Sequence, residues 1–483
     1  MLSTIIKKEI LESLLGFRFL LAFLLCTILI PLGLYVNLKE YEQRLRDYHE
    51  SVQLYEARMK GNAEMNMKAE GYRPPSPLSI FSIGLEQFLP NKVLTSREEG
   101  FTTLNTRGVE NPQSLLFGKI DFLFNMNFVI SILALILIFN SIPEEKEMGT
   151  LRMLLANPVS KSSILLGKLI GNYLVLLIPF FVSILIGSLI LNLSSSISLF
   201  SGENFSRFLI IIGLTVLFIL TFFTLGMFVS LLTHRSTTSI ISLLFIWVIL
   251  ALTFPKMSTM LAEISYPVKS KQVLDLQKTL LRETLDKEKD TRVRQLYDQV
   301  AAEYGSDPRS VSAGPTQSEF QKIYLQRKAP FEEEYANRLH NELERLTADY
   351  ERERRIQESI AKNISRLSPI SCYTYIISEI ANTGTIEAKT FEEDAKRFQE
   401  KVREEVYDRY HIERYGGTSG GSASYIRTDP NVATKETMSR FQHQFADLSE
   451  VFGAIWVDIL LLCVFNLVFF AGSYVSFLRY DAR

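Results

Sequence analysis

Six apolar runs govern what this chain can fold into: Phe19 to Val36, Phe122 to Ile142, Leu169 to Asn192, Phe208 to Leu232, Ser239 to Phe254 and Val451 to Leu478. About 18 or more apolar residues suffice to cross a hydrocarbon core as a helix, so the pattern predicts six transmembrane helices. The fifth run is short and ends at Pro255, and is expected to tilt or to continue as a broken helix. Mean hydropathy is only +0.11 over the 483 residues because long charged stretches separate the apolar ones.

Six spans put both termini on one side, and basic residues at the span ends choose that side. Lys7, Lys8 and Arg18 precede the first span, and Lys146, Arg152, Lys161 and Lys168 lie between the second and third. Arg235 lies between the fourth and fifth, and Arg479 and Arg483 follow the sixth; the opposite side's short loop, 193–207, offers Arg207 alone. Both termini and the segment 143–168 are therefore expected in the cytoplasm, with the bacterial inner membrane as the location. No small-residue cleavage site follows the first run, which reads as an uncleaved anchor. The organisation expected is 1–36 N-terminus and first span, 37–119 first outer region, 120–142 second span, and 143–168 cytoplasmic segment. Then follow 169–254 spans three to five, 255–450 a large helical outer domain, and 451–483 sixth span and cytoplasmic C-terminus.

The segment Pro143 to Gly171 reads PEEKEMGTLRMLLANPVSKSSILLGKLIG. Glu144, Glu145, Lys146 and Glu147 lead the apolar set Met148, Leu151, Leu154 and Leu155, whose 3 and 4 spacing marks one helix face. Acidic residues at the start suit the positive end of a helix dipole. Gly149 and Asn157-Pro158 bracket a short helix, and Ser160 stands where it caps the next one. These features alone equally fit an amphipathic helix lying on lipid.

Glu147, Gly149-Thr150-Leu151, Leu154-Leu155, Asn157-Pro158-Val159-Ser160, Ile164-Leu165-Leu166 and Gly167-Lys168 closely resemble the motif between spans two and three of type-2 ABC exporter permeases. Lys161 stands where that family usually has Arg, which keeps the charge and loses the planar fork. The resemblance implies a coupling helix pressed into a groove on a separate ATP-hydrolysing subunit. Glu144, Glu147, Gly149, Thr150, Leu151, Leu154, Leu155, Pro158 and Lys161 become the candidate coupling residues. It further implies an all-α integral membrane protein of the six-helix, type V exporter kind, working with two ABC ATPase copies that hold the ATP and magnesium. Its membrane partner would be a second copy or a sister permease, within the lipid.

Tyr41 to Glu70, charged and free of proline, reads as a helix that carries the first span outward and stops at Gly71. Arg73-Pro74-Pro75-Ser76-Pro77 then enforces an extended path before an apolar docking segment with Leu78, Ile80, Phe81, Ile83 and Leu85. This element and the sequence GKIDFLF at 118–124 resemble the permeases with enlarged outer loops. Beyond the fifth span, Val273, Leu274, Leu276, Leu280, Leu281 and Leu285 continue with helical spacing to Val300, and a loop runs from Gly305 to Thr316. Pro330 is placed at the start of a second helix with Phe331, Tyr335, Leu339, Leu343, Leu346 and Tyr350 on one stripe. The two can form an antiparallel hairpin or pair across a two-fold axis. Pro369 ends that helix, and Tyr373, Tyr375, Ile376, Ile377 and Ile380 follow, with a lipid-facing or interfacial position expected of the tyrosines. A helix from Phe391 to Tyr410 and a flexible GGTSGGSAS tract at Gly416 to Ser424 precede the sixth span. The closing Arg479-Tyr480-Asp481-Ala482-Arg483 resembles a C-terminal signature of the same permeases.

No GxxxxGK[ST] phosphate cradle occurs, nor HExxH or paired CxxC, so an intrinsic enzyme is not expected. Mixed-sign charge blocks exclude a nucleic-acid groove. Cys26 and Cys463 fall in spans and Cys372 in the outer region, which supports no disulfide framework. Met59, Met65 and Met67 are soft enough for monovalent copper, but helical methionines more often pack. Asp458, about two turns into the sixth span, reads as a capped or hydrated carboxylate rather than an ion relay. Energy must come from a partner. The expected function is ATP-driven export of a lipidic or amphipathic substrate; the alternative is a mechanical transducer acting on outer partners without transport. A scaffold without an ATPase is the weakest reading.

Overall fold

The computed structural model describes residues 2–61, 69–96, 100–106, 119–156, 160–194, 196–197, 199–200, 202–303, 315–402, 410–414, 424–428 and 440–479. Six of its helices are long and apolar enough to cross a membrane, and they coincide with the six runs of the sequence. A short helix α1 (Leu2–Leu14) precedes the first span, α2 (Phe17–Gly61). The second span opens with one turn at Phe122–Phe124, widens into a π turn at Asn125–Ile130, and continues as α3 (Ser131–Ile138). Two short helices, α4 (Pro143–Glu147) and α5 (Thr150–Ala156), lead to the third span, α6 (Lys161–Asn192). The fourth is α7 (Gly202–Leu232).

The fifth span does not end at Pro255. It runs as α8 (Ser236–Val248), a π turn at Ile249–Thr253 and α9 (Phe254–Ser265). Proline lacks an N–H, so at Pro255 the continuing helix loses one backbone hydrogen bond without being broken. In the bundle, α2 packs on α6, α3 on α7, and α7 on the sixth span. Phe218, Phe222 and Phe223 of α7 are fully buried.

Beyond the fifth span the chain forms α10 (Lys271–Glu303) and α11 (Pro315–Ser365), an antiparallel hairpin held by Arg327–Glu303, Arg338–Glu288 and Tyr335–Asp286. Pro330 lies inside α11 instead of at its start. The residues before it already hold helix, and a proline on an exposed helix leaves only a carbonyl for water to satisfy.

Helix α12 (Pro369–Ile380), capped by Ser368, then enters the bundle between α7 and the sixth span, α14 (Leu448–Arg479). The interfacial position expected of its tyrosines fails for Tyr373, which has no exposed surface. Its ring stacks on Phe218 at 4.1 Å and its hydroxyl lies 2.8 Å from Thr215 Oγ1. Ile370, Tyr373, Ile376, Ile377 and Ile380 recur at helical spacing and form an inner face, and Cys372 is buried with them in the bundle.

At the end of the bundle away from α1, the helix expected as far as Glu70 does not include that residue, because Ala69–Tyr72 is strand β1. It pairs antiparallel with β2 (Lys92–Ser96), which pairs with β3 (Gly100–Leu104). Helix α13 (Thr385–Val402) covers this sheet through Phe391, Ala395, Phe398 and Val402 against Ala69 and Val93. The helix expected as far as Tyr410 does not include that residue, which opens β4 (Tyr410–Arg414), paired with β5 (Ser424–Thr428). The docking segment behaves as expected: Leu78, Ile80, Phe81 and Ile83 are buried, while Leu85 stays exposed. Asp121 fastens it to the second span by accepting from Ile83 N at 3.0 Å and Phe124 N at 2.6 Å. Met65, Met67, the Met59 side chain, the tract 416–423, the 305–314 loop and residues 480–483 lie outside the described residues.

Candidate functional site

The loop between spans two and three is two helices at an angle, set by Gly149. Its φ of +74° is a left-handed conformation that an L side chain adopts only with strain, although a Cβ there would meet nothing within 4 Å. The single apolar face expected for Met148, Leu151, Leu154 and Leu155 therefore divides. Leu151 is 1% exposed and packs into the bundle core with Leu154 partly buried against it, while Met148 and Met153 stand 68% and 74% exposed. Leu151 thus serves the chain's own packing. Among the described residues, the exposed positions of the loop are Glu147, Met148, Gly149, Thr150 and Met153. Pro158 and the Leu155 side chain lie outside the described residues.

Glu145, Lys146 and Glu147 fasten this loop to the bundle through partners distant in sequence. Lys168 Nζ, at the start of the third span, lies 2.8 Å from Glu145 Oε1 on α4 and 2.8 Å from Glu9 Oε1 on α1. All three side chains are nearly buried, where an ammonium is tolerated only with paired carboxylates. Two carboxylates against one ammonium leave a net negative cluster, and Glu145 Oε2 is buried without a hydrogen-bond partner. Asn172 extends the cluster by accepting from Ser13 Oγ at 3.0 Å. Gly171 permits this approach, since a Cβ there would fall 2.7 Å from Glu9 Cβ. Helix α1 is thereby part of the site.

Lys146 donates to the carbonyls of Leu231 at 2.6 Å and Thr233 at 2.8 Å, so the loop grips the C-terminal end of the fourth span, where the helix dipole favours a cation. Glu147 reaches the other way. Its Oε1 accepts from Ser236 N at 2.9 Å and its Oε2 lies 3.2 Å from Ser236 Oγ, which caps the first turn of the fifth span. Arg235, the N-cap residue itself, makes no such bond. Glu144 bonds to the Asn140 amide, and Thr150 Oγ1 makes only a long contact of 3.5 Å to Glu145 O. Ser160 caps α6 by accepting from Ser163 N at 3.2 Å, as its position in the sequence requires. Lys161 donates to Leu478 O at 3.2 Å, tying the third span to the end of the sixth.

Among the sequence-derived residues, Glu144, Glu147, Gly149, Thr150, Leu151, Leu154 and Lys161 are thus brought to one end of the bundle. Sequence reasoning missed Glu9 and Glu145 as ionic partners of Lys168. The signal available was a cation placed at the membrane end of a span, which demands a counter-ion.

Asp458 lies at the other end of the bundle. It is fully buried rather than hydrated, and Arg366 engages it in a fork: Nε to Oδ1 at 2.7 Å, Nη2 to Oδ2 at 3.0 Å. The pair joins the foot of α11 to the sixth span, and of the two forms expected for Asp458 it is the capped carboxylate, not the hydrated one, that the structure has.

Six helices long and apolar enough to span, with a charged loop between the second and third, are the build of a multi-pass membrane protein. The family described as ABC-2 family transporter protein matches residues 3–482, and this chain belongs to it. Membership makes it the membrane component of an ABC transporter and implies association with an ABC ATPase. No curated protein matches the chain.

Proposed function

We propose that this chain is a permease subunit that couples ATP hydrolysis on a separate ABC ATPase to export of a lipidic or amphipathic substrate. It has no catalytic part in hydrolysis itself. The observation that carries this reading is the α4–α5 loop: its tip exposes Met148 and Met153, while Lys146, Glu147 and Lys168 fasten its base to four different helices. A push on the tip reaches α1 and spans three, four and five together. In this reading the loop and both termini face the cytoplasm across a bacterial inner membrane. Two ATPase copies hold ATP and magnesium, and the chain pairs with a second copy or a sister permease.

A second reading is supported by the α10–α11 hairpin, whose charged faces extend far beyond the bundle. The complex would then act as a mechanical transducer on partners across the membrane and export nothing. Reconstitution with the cognate ATPase in vesicles of defined lipids separates the two. ATP-dependent appearance of lipid in the opposite leaflet supports export. Hydrolysis stimulated by this chain without any lipid movement supports transduction.

A further inference from the structure

We infer that the fifth span, its extension α9 and the α10–α11 hairpin move as one lever, which carries the stroke received at the loop to the hairpin. The inference rests on the reading that the α4–α5 loop receives that stroke. Input enters at Ser236, whose amide and hydroxyl are held by Glu147. From there the span is one continuous helix of 30 residues, about 45 Å long at 1.5 Å per residue.

Its one irregularity is stapled to the hairpin. In the π turn, Phe254 N bonds to Ile249 O, one residue further back than an α-helix requires. The next carbonyl, Leu250 O, would by the same pattern face the nitrogen of Pro255, which has no hydrogen. Ser368 Oγ, at the foot of the hairpin, donates to Leu250 O at 2.6 Å. The place where this span would otherwise flex is therefore held by the element to be moved.

Two further contacts complete the joint. Helix α9 packs along α11, with Ser258 and Ala262 nearly inaccessible on its buried face. Gln357 Nε2 donates to Tyr266 O at 2.8 Å, where α9 ends. The Arg366–Asp458 fork fixes the foot of α11 to the sixth span, which makes that point the fulcrum. Helix α11 has 51 residues, about 75 Å of arm, so a small rotation at the fulcrum becomes a large sweep at the hairpin tip.

The test uses the full complex with its ATPase in lipid nanodiscs, one labelled copy per complex, with the exposed Cys463 replaced by Ser. Spin labels at Lys287→Cys on α10 and Glu400→Cys on α13, both exposed positions, report the hairpin against the sheet unit. The label distance is expected to change between the ADP and vanadate-trapped states. Ser368→Ala with Gln357→Ala, or Ala262→Glu placing a charge between α9 and α11, is expected to cut that change by at least half while ATP hydrolysis continues. An unchanged distance in a hydrolysing wild-type complex overturns the lever, as does a full change in both variants. Failure of the chain to recruit any ATPase instead overturns the reading that the α4–α5 loop receives a partner's stroke, and the lever with it.

Discussion

Glu147 and Ser236 form the shortest link between the loop and the fifth span, with the carboxylate accepting the Ser236 amide at 2.9 Å. Glu147→Ala removes this cap, at a cost of about 1 kcal/mol to the helix start. In a reconstituted complex, chain-stimulated ATP hydrolysis is expected to fall, and Glu147→Gln, whose amide oxygen still accepts from the N–H, to retain part of it. Equal stimulation by the Ala variant and the wild type would remove Glu147 from the coupling path.

Lys168 neutralises two carboxylates, and its loss leaves Glu9 and Glu145 buried together. Lys168→Met is expected to destabilise the protein by about 3–5 kcal/mol. Adding Glu9→Gln and Glu145→Gln should recover most of that, because neutral amides of similar volume do not repel. Thermal unfolding in detergent across the single and triple variants measures the recovery. A triple variant no more stable than Lys168→Met would show that packing, not charge, holds α1 in place.

Removing either member of the Arg366–Asp458 pair is not equivalent. Asp458 has no exposed surface, whereas the Arg366 side chain is 18% exposed and can extend toward water. Arg366→Ala strands a buried carboxylate; Asp458→Ala leaves a guanidinium with an outlet. The arginine variant is expected to unfold at the lower temperature, and the opposite order would contradict this account of the pair.

Helix α12 lies in the bundle, so Cys372 should resist a membrane-impermeant maleimide in the folded protein and react after unfolding. Tyr373→Phe removes one hydroxyl contact to Thr215 and is expected to cost about 1 kcal/mol. Tyr373→Ala also opens a cavity beside Phe218 and should cost about 3–5 kcal/mol. Rapid labelling of Cys372 on intact protein would return α12 to the interface.

The spans were legible because runs such as Leu169 to Asn192 leave a helix few alternatives in lipid. The loop was legible as a motif, and Ser160 as a cap. Its geometry was not: Met148 and Leu151 share a helical period, but Gly149 turns the chain between them. Lys168 finds Glu9 159 positions away and Arg366 finds Asp458 92 positions away, and one sequence carries no local trace of such pairs. The strands escaped because they are short and weakly apolar. Ala69–Tyr72 contains Gly71, and Lys92–Ser96 offers Val93 and Leu94 among polar residues, so tertiary cover by Phe391 and Phe398 decides their conformation.

Gly149 tests the central claim, that the α4–α5 loop is where a partner's ATP does work on this chain. Proline holds φ near −65°, which the observed +74° forbids, so Gly149→Pro must re-aim α5 and with it Leu151, whose side chain packs in the bundle core. The measurement is ATP hydrolysis by the cognate ATPase in lipid vesicles, with the wild-type chain or the Gly149→Pro chain at equal folded amounts. Loss of the stimulation given by the wild-type chain is the result expected. Full stimulation by Gly149→Pro would contradict the account.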